Sequence, residues 1–387
     1  MEREAEDTFS FEGFDVMTPR GGCLKERWEG NMENTLRKCM PAGVALFTLL
    51  VFFLSLAAYG AEKSADQPLE RIRIVYAGLS GNQAPGWAAY EGGFFRKHGL
   101  EVELVNVVGG VTAVQTLLTG EVQFGQISGL PVLESSLQGS GITILTGLLN
   151  TMNYQFIVGK GIKQPEQLRG KMVAVSRLGS SSDFATHYAL DRFGLMAEKD
   201  VKIIEIGNQP DRFAALENGR IHGVMLEVPL TLKAKQRGFP VLADLQALGL
   251  EYQATVLAAT QATIKSRPDL VRKVLTAYVE GIHYYKSHRK EALAILQKYL
   301  RTDDTDALLE SYEGIGLALI PEKPYPTLRG IQIMLRELSA KNAKAQSARP
   351  EQFVNSTFLR ELDSAGFIDR LYKATPALVP ARKKQAS

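Results

Sequence analysis

Lys171–Leu190 reads KMVAVSRLGSSSDFATHYAL. Met172 to Ser176 has the β-branched and small apolar character of a short buried strand. Gly179 to Ser182 is a turn, and a helix opens at Asp183. At such a handover the first backbone N–H groups of the helix have no intrahelical partner, and the positive end of its dipole faces outward. Small hydroxyl residues at that point suit a carboxylate, sulfonate or phosphate. Two roles are open. Ser182 or Asp183 caps a structural helix, or Ser180, Ser181 and Ser182 present donors to a ligand while Asp183 starts the helix.

The same handover recurs on either side. Arg71–Ala77 (RIRIVYA) alternates as a strand does, and Pro85 suits the start of a helix over Gly86–Lys97. Glu101–Val107, Val122–Ser128 and Ile142–Gly147 follow as strands, with Gly109-Gly110 and Ser128-Gly129 turning into helices. The pattern restarts with strands at Tyr154–Val158, Met172–Ser176, Val201–Ile206 and Ile221–Leu226, and Tyr252–Thr260 is a further extended run. Beyond Ile264 helices take over: Pro268–Ser287, Lys290–Tyr299, Thr305–Ile320, Leu328–Ala340 and Phe358–Ala365. Strand–helix alternation with short loops implies largely parallel sheets wrapped by helices. Ligands of such sheets bind outside the strand C-terminal ends. Four turns there are rich in Gly, Ser, Thr or Asn: Leu79–Pro85, Val108–Thr112, Ser128–Pro131 and Arg177–Asp183.

The N-terminus has a different character. Arg37 and Lys38 precede an uncharged run from Cys39 to Ala61, ending in Ala58-Tyr59-Gly60. A basic flank, an apolar run and a small-x-small end predict a secretory signal cleaved near Ala61. An uncleaved membrane anchor is the alternative. Both cysteines, Cys23 and Cys39, precede that site, so a chain cut there has no disulfide, thiolate nucleophile or cysteine metal site. The 387-residue chain has a net charge of +3. Residues 1–61 carry six Lys or Arg and nine Asp or Glu, which leaves 39 basic and 33 acidic residues, a net of +6, beyond them. That balance suits an anionic ligand, and it is spread along the chain rather than clustered as in a nucleic-acid binder.

Catalytic patterns are missing. The sequence contains no Gly-x4-Gly-Lys-Ser/Thr, Gly-x-Gly-x-x-Gly or Gly-x-Ser-x-Gly motif. None of the five histidines forms a His-x3-His or His-Glu-x2-His pair. His187 lies one turn beyond Asp183 and reads as a surface helix pair. Glu227 ends a strand, where it accepts from a ligand amine or amide, forms a salt bridge, with Arg177 as one candidate partner, or is simply solvated. Arg177 either clamps an anion or faces water. Trp87, Tyr90, Phe94 and Phe95 recur at helical spacing, which means core packing, with Trp87 the best placed of them to reach a ligand.

These residues resemble the periplasmic substrate-binding proteins of ATP-binding-cassette importers, in the sulfonate/nitrate/taurine branch that shares its fold with the thiamine-pyrimidine synthases. The matching segments are Ala84–Val105, Thr116–Gly129, Leu168–Leu190, Asp211–Pro229 and Arg267–Leu293. The resemblance implies an α/β fold, a two-lobed type II clamshell in which each lobe is a mostly parallel sheet wrapped by helices. Residues 1–60 would be extension and signal, 69–152 and 253–375 lobe I, 153–252 lobe II, and 376–387 a tail. The hinge would cross near Asn153 and Gln253. It also implies ligand contacts at Ser80, Asn82, Gln83, Gly110, Thr112, Ser128, Ser180, Ser181, Ser182 and Glu227, with Arg177 added from its place beside the serine turn. The implied function is binding of a small anionic or zwitterionic solute for delivery to a membrane permease, by an exported monomer. No cofactor, metal, catalytic residue or nucleic-acid partner is expected. The synthase branch needs a cysteine-rich iron site, which a chain without cysteine does not supply. A small-molecule enzyme using the same cleft and a membrane-tethered sensor are the alternatives.

Overall fold

The computed structural model describes residues 68–380 apart from Lys341. The apolar run, its cleavage site and both cysteines lie outside the described residues. Among the described residues no helix is long and apolar enough to cross a membrane.

Among the described residues ten strands form two five-stranded sheets, ordered β2-β1-β3-β10-β4 and β7-β6-β8-β5-β9. The first holds β1 (Glu70–Ala77), β2 (Leu100–Val107), β3 (Phe124–Ile127), β4 (Ile142–Thr151) and β10 (Glu251–Thr260). The second holds β5 (Gln155–Val158), β6 (Lys171–Val175), β7 (Val201–Glu205), β8 (Gly223–Leu226) and β9 (Val241–Asp244). β1 runs parallel to β2 and β3, and β6 runs parallel to β7 and β8. In each sheet one strand opposes its neighbours: β10 against β3 and β4, β5 against β8 and β9. The sheets are therefore mixed, each with a parallel block of three. The two opposed strands are the ones that follow the passages between sheets, from β4 to β5 and from β9 to β10, so each enters its sheet from the other lobe.

Apolar residues fill both faces of these sheets, as expected for strands covered by helices. One core runs through both lobes, joining Val75 and Ile127 of the first sheet to Phe156 and Val173 of the second by way of Met152 and Tyr252. Tyr252 lies 4.8 Å from Phe184, ring centre to ring centre. A second core covers the outer face of lobe I, where the helix Pro268–Ser287 packs on the helix Ala84–Glu91. Gly281 makes that approach possible. A Cβ there would sit 2.6 Å from the backbone nitrogen of Ala89, a contact real side chains do not make.

Two helices differ from their sequence expectation. The run Gly86–Lys97 splits into Ala84–Glu91 and Phe94–Lys97, because Gly93 adopts φ +73° between them. Thr305–Ile320 begins as α-helix and continues as a π-helix over Glu310–Leu317. Trp87 is 1% exposed and stacks on Tyr299 at 4.7 Å, so it belongs to the core and does not reach a ligand. Its neighbour Tyr90 stays exposed.

Candidate functional site

The C-terminal ends of β1, β2 and β3 meet those of β6, β7 and β8 around one cavity of about 120 Å³. From lobe I come Ser80, Asn82, Gln83, Gly110 and Ser128. From lobe II come Ser180, Ser181, Ser182 and Glu227. These are nine of the eleven residues singled out in the sequence. Thr112 does not line the cavity; it lies in the first turn of the helix Gly110–Leu118, where its carbonyl accepts from Thr116. Arg177 also stays outside, with a half-exposed side chain 3.4 Å from Glu205 at the end of β7. Glu205 rather than Glu227 is its partner.

The serine turn is bonded within itself. Ser180 is the N-cap and accepts from the Asp183 N–H at 3.3 Å, so the helix begins at Ser181, two residues before its expected start. Ser176 Oγ donates to Ser180 Oγ at 2.9 Å, and the Ser176 N–H donates to Ser182 Oγ at 2.9 Å. Ser182 lies 3.0 Å from Ser180. Asp183 accepts from the Gly179 N–H at 3.0 Å and lies 3.4 Å from His187, the pair its spacing suggested. Ser181 points the other way. Its hydroxyl bonds Ser128 across the lobe boundary and accepts from Tyr252 at 3.3 Å.

A second bond between lobes lies on Glu227, which is 6% exposed. Glu227 Oε1 accepts from Asn82 Nδ2 at 2.6 Å, and Oε2 accepts from Gln209 Nε2 at 2.6 Å. Asn82 in turn exchanges bonds with Asn153, where the chain leaves lobe I. Burial pushes the Glu227 carboxyl above the usual carboxylate range, against the opposing pull of Gln209, Ser80, Asn82 and the Arg212 charge. Gln83 is spent inside lobe I: its amide donates to the Ala77 carbonyl, and its oxygen accepts from Gln126 at 2.7 Å.

The lining residues that were not foreseen include Tyr154, Asn208 and Arg212. Asn208 and Arg212 belong to a fifth strand-end turn, after β7. Asn208 N-caps the helix Gln209–Glu217 by accepting from the Asp211 N–H at 3.0 Å. The signal was present in Gly207-Asn208-Gln209-Pro210, a turn with a capping residue and a proline at the helix start. Burial lowers the Arg212 pKa, while Tyr154, Glu227 and Asp211 favour its charged form. Among the described residues no group of three His, Cys, Asp or Glu side chains is placed to hold a metal ion.

Residues 80–292, more than half of the chain, match the family described as NMT1/THI5 like. The chain belongs to the NMT1/THI5-like family. A curated relative in Brucella abortus (strain 2308), named as a binding protein, is 23% identical over 236 residues, covering 59% of this chain and 71% of the relative. Among solved structures, the periplasmic nitrate-binding protein NrtA of Synechocystis PCC 6803 aligns with a TM-score of 0.64 at 16% identity, over 80% of this chain and 92% of that one. The periplasmic aliphatic sulphonate binding protein SsuA of Escherichia coli aligns with a TM-score of 0.58 at 18% identity, over 75% and 99%. The NMT1/THI5-like chain thus has the periplasmic binding protein fold, as the resemblance implied.

Proposed function

We propose that this NMT1/THI5-like chain is an exported solute-binding protein of an ABC-type importer, carrying a small anionic or zwitterionic solute to a membrane permease. The observation that supports this best is the cavity walled by strand-end turns of both lobes and closed by Asn82–Glu227 and Ser128–Ser181. A ligand that touches both walls binds only the closed form fully, and that differential affinity drives closure. We place lobe I at 69–152 and 253–375 and lobe II at 153–252, with hinges at Asn153, between β4 and β5, and at Gln253, near the start of β10, both buried. Ser80, Asn82, Gly110, Ser128 and Ser181 are the neutral contacts of the ligand in this proposal.

The test is a thermal-shift screen of the purified chain against nitrate, sulfonates, carboxylates and pyrimidines. A ligand at a hundredfold excess over its Kd should add about 2.7 kcal/mol and raise Tm measurably. The bound solute, recovered by mass spectrometry, should be unaltered; recovery of a converted product would replace the receptor with an enzyme.

A further inference from the structure

Arg212 is 1% exposed, sits in the first turn of the helix Gln209–Glu217 and lines the cavity. One guanidinium nitrogen donates to the Gly207 carbonyl, while Nε is buried without a hydrogen-bond partner. Among the described residues Arg212 forms no salt bridge; the cavity's carboxylate, Glu227, has each oxygen taken by an amide at 2.6 Å. A buried guanidinium with an unmatched N–H is costly, and an incoming anion that hydrogen-bonds it recovers that cost. Four helices of nine residues or more begin at the same cavity: Gly110–Leu118, Gly129–Leu137, Ser181–Arg192 and Gln209–Glu217. Their positive ends add to the attraction.

We propose that Arg212 receives the anionic group of the ligand, and that the ligand is a small organic or inorganic oxyanion with no ammonium group. The guanidinium fork meets two oxygens of a carboxylate, sulfonate or nitrate. Glu227 is committed to Asn82 and Gln209, so it holds the lobes together instead of receiving a cation. A cavity of about 120 Å³ suits a small ligand. This assignment rests on the solute-binding function proposed above and narrows its ligand.

Calorimetric titration of the full chain with nitrate, propionate, ethanesulfonate and taurine tests it. Taurine is ethanesulfonate with an added ammonium, so that pair isolates the cationic group. At least one of the three simple anions should bind, and ethanesulfonate should bind more tightly than taurine. R212M should weaken the bound anion by about 100-fold, the usual scale for losing one partner of a buried charged pair. R212K, which keeps the charge but not the fork, should fall between R212M and wild type. Anion affinity in R212M within threefold of wild type would overturn the role of Arg212. Tighter binding of taurine than of ethanesulfonate would overturn the ligand class. If none of the three anions binds but another small molecule raises Tm, this proposal falls and the receptor stands. If no small molecule raises Tm, both fall.

Discussion

Lobe I meets the cavity with Ser80, Asn82, Gly110 and Ser128, and none of its lining side chains ionises; lobe II meets it with Arg212 and Glu227 as well as four serines. The scaffolds behind these walls share one strand order, with a parallel block of three and an opposed strand in the fourth place. The difference is therefore in the turns and not in the fold. Under the proposed function, Arg212 keeps its bond to the Gly207 carbonyl of its own lobe whether the cleft is open or closed, so lobe II would capture an anion first. Lobe I would then close with neutral donors and bury no charge of its own.

Putting a charge on the neutral wall should break this division most severely. Asn82→Asp places a second carboxylate where Asn82 now donates to Glu227 at 2.6 Å. Ligand affinity measured by calorimetry at pH 8 should fall by about 100-fold, roughly 3 kcal/mol, from repulsion across the closing contact. Part of that loss should return at pH 5, where two adjacent carboxyls share a proton. Equal affinity at both pH values would mean the lobes do not close on this contact.

Removing the negative charge from the charged wall gives a smaller effect, seen in stability. The folded-state pKa of Glu227 is raised above 4.5 by burial. Its contribution to stability is therefore full below 4.5 and is lost as pH rises through the higher folded value. The Tm difference between wild type and Glu227→Gln, recorded from pH 4 to 8, should shift against wild type across that window. A pH-independent difference would show that the Glu227 pKa is the same in the folded and unfolded states.

The smallest effect belongs to the residues beside the wall. Arg177→Ala and Thr112→Ala should leave ligand affinity within about twofold, since an exposed pair such as Arg177–Glu205 is worth little. A larger loss would bring the cavity edge out to Arg177.

Those two residues also mark how far the sequence could be read. The strands and turns were legible because β-branched alternation and capping residues are local signals, and nine of the eleven residues singled out from them line the cavity. Arg177 misled because a basic residue next to a serine turn is close in sequence to the site, while its direction depends on Glu205 from a neighbouring strand. Arg212 escaped notice for the converse reason. In the helix QPDRFAALE a charged residue reads as solvent-facing, and only the packing of this helix on β8 and at the cavity puts it inside. Trp87 was legible as core but not as stacked on Tyr299, which lies in a helix more than two hundred residues later.

The wedge of β10 between β3 and β4 sets an order of completion along a growing chain. All five strands of lobe II lie in one uninterrupted stretch, from Gln155 to Asp244. Lobe I starts earlier, yet its sheet stays split into two pieces with bare edges until Thr260 has been made. A nascent chain can thus finish its second lobe while its first still exposes the unpaired strands that a chaperone would hold.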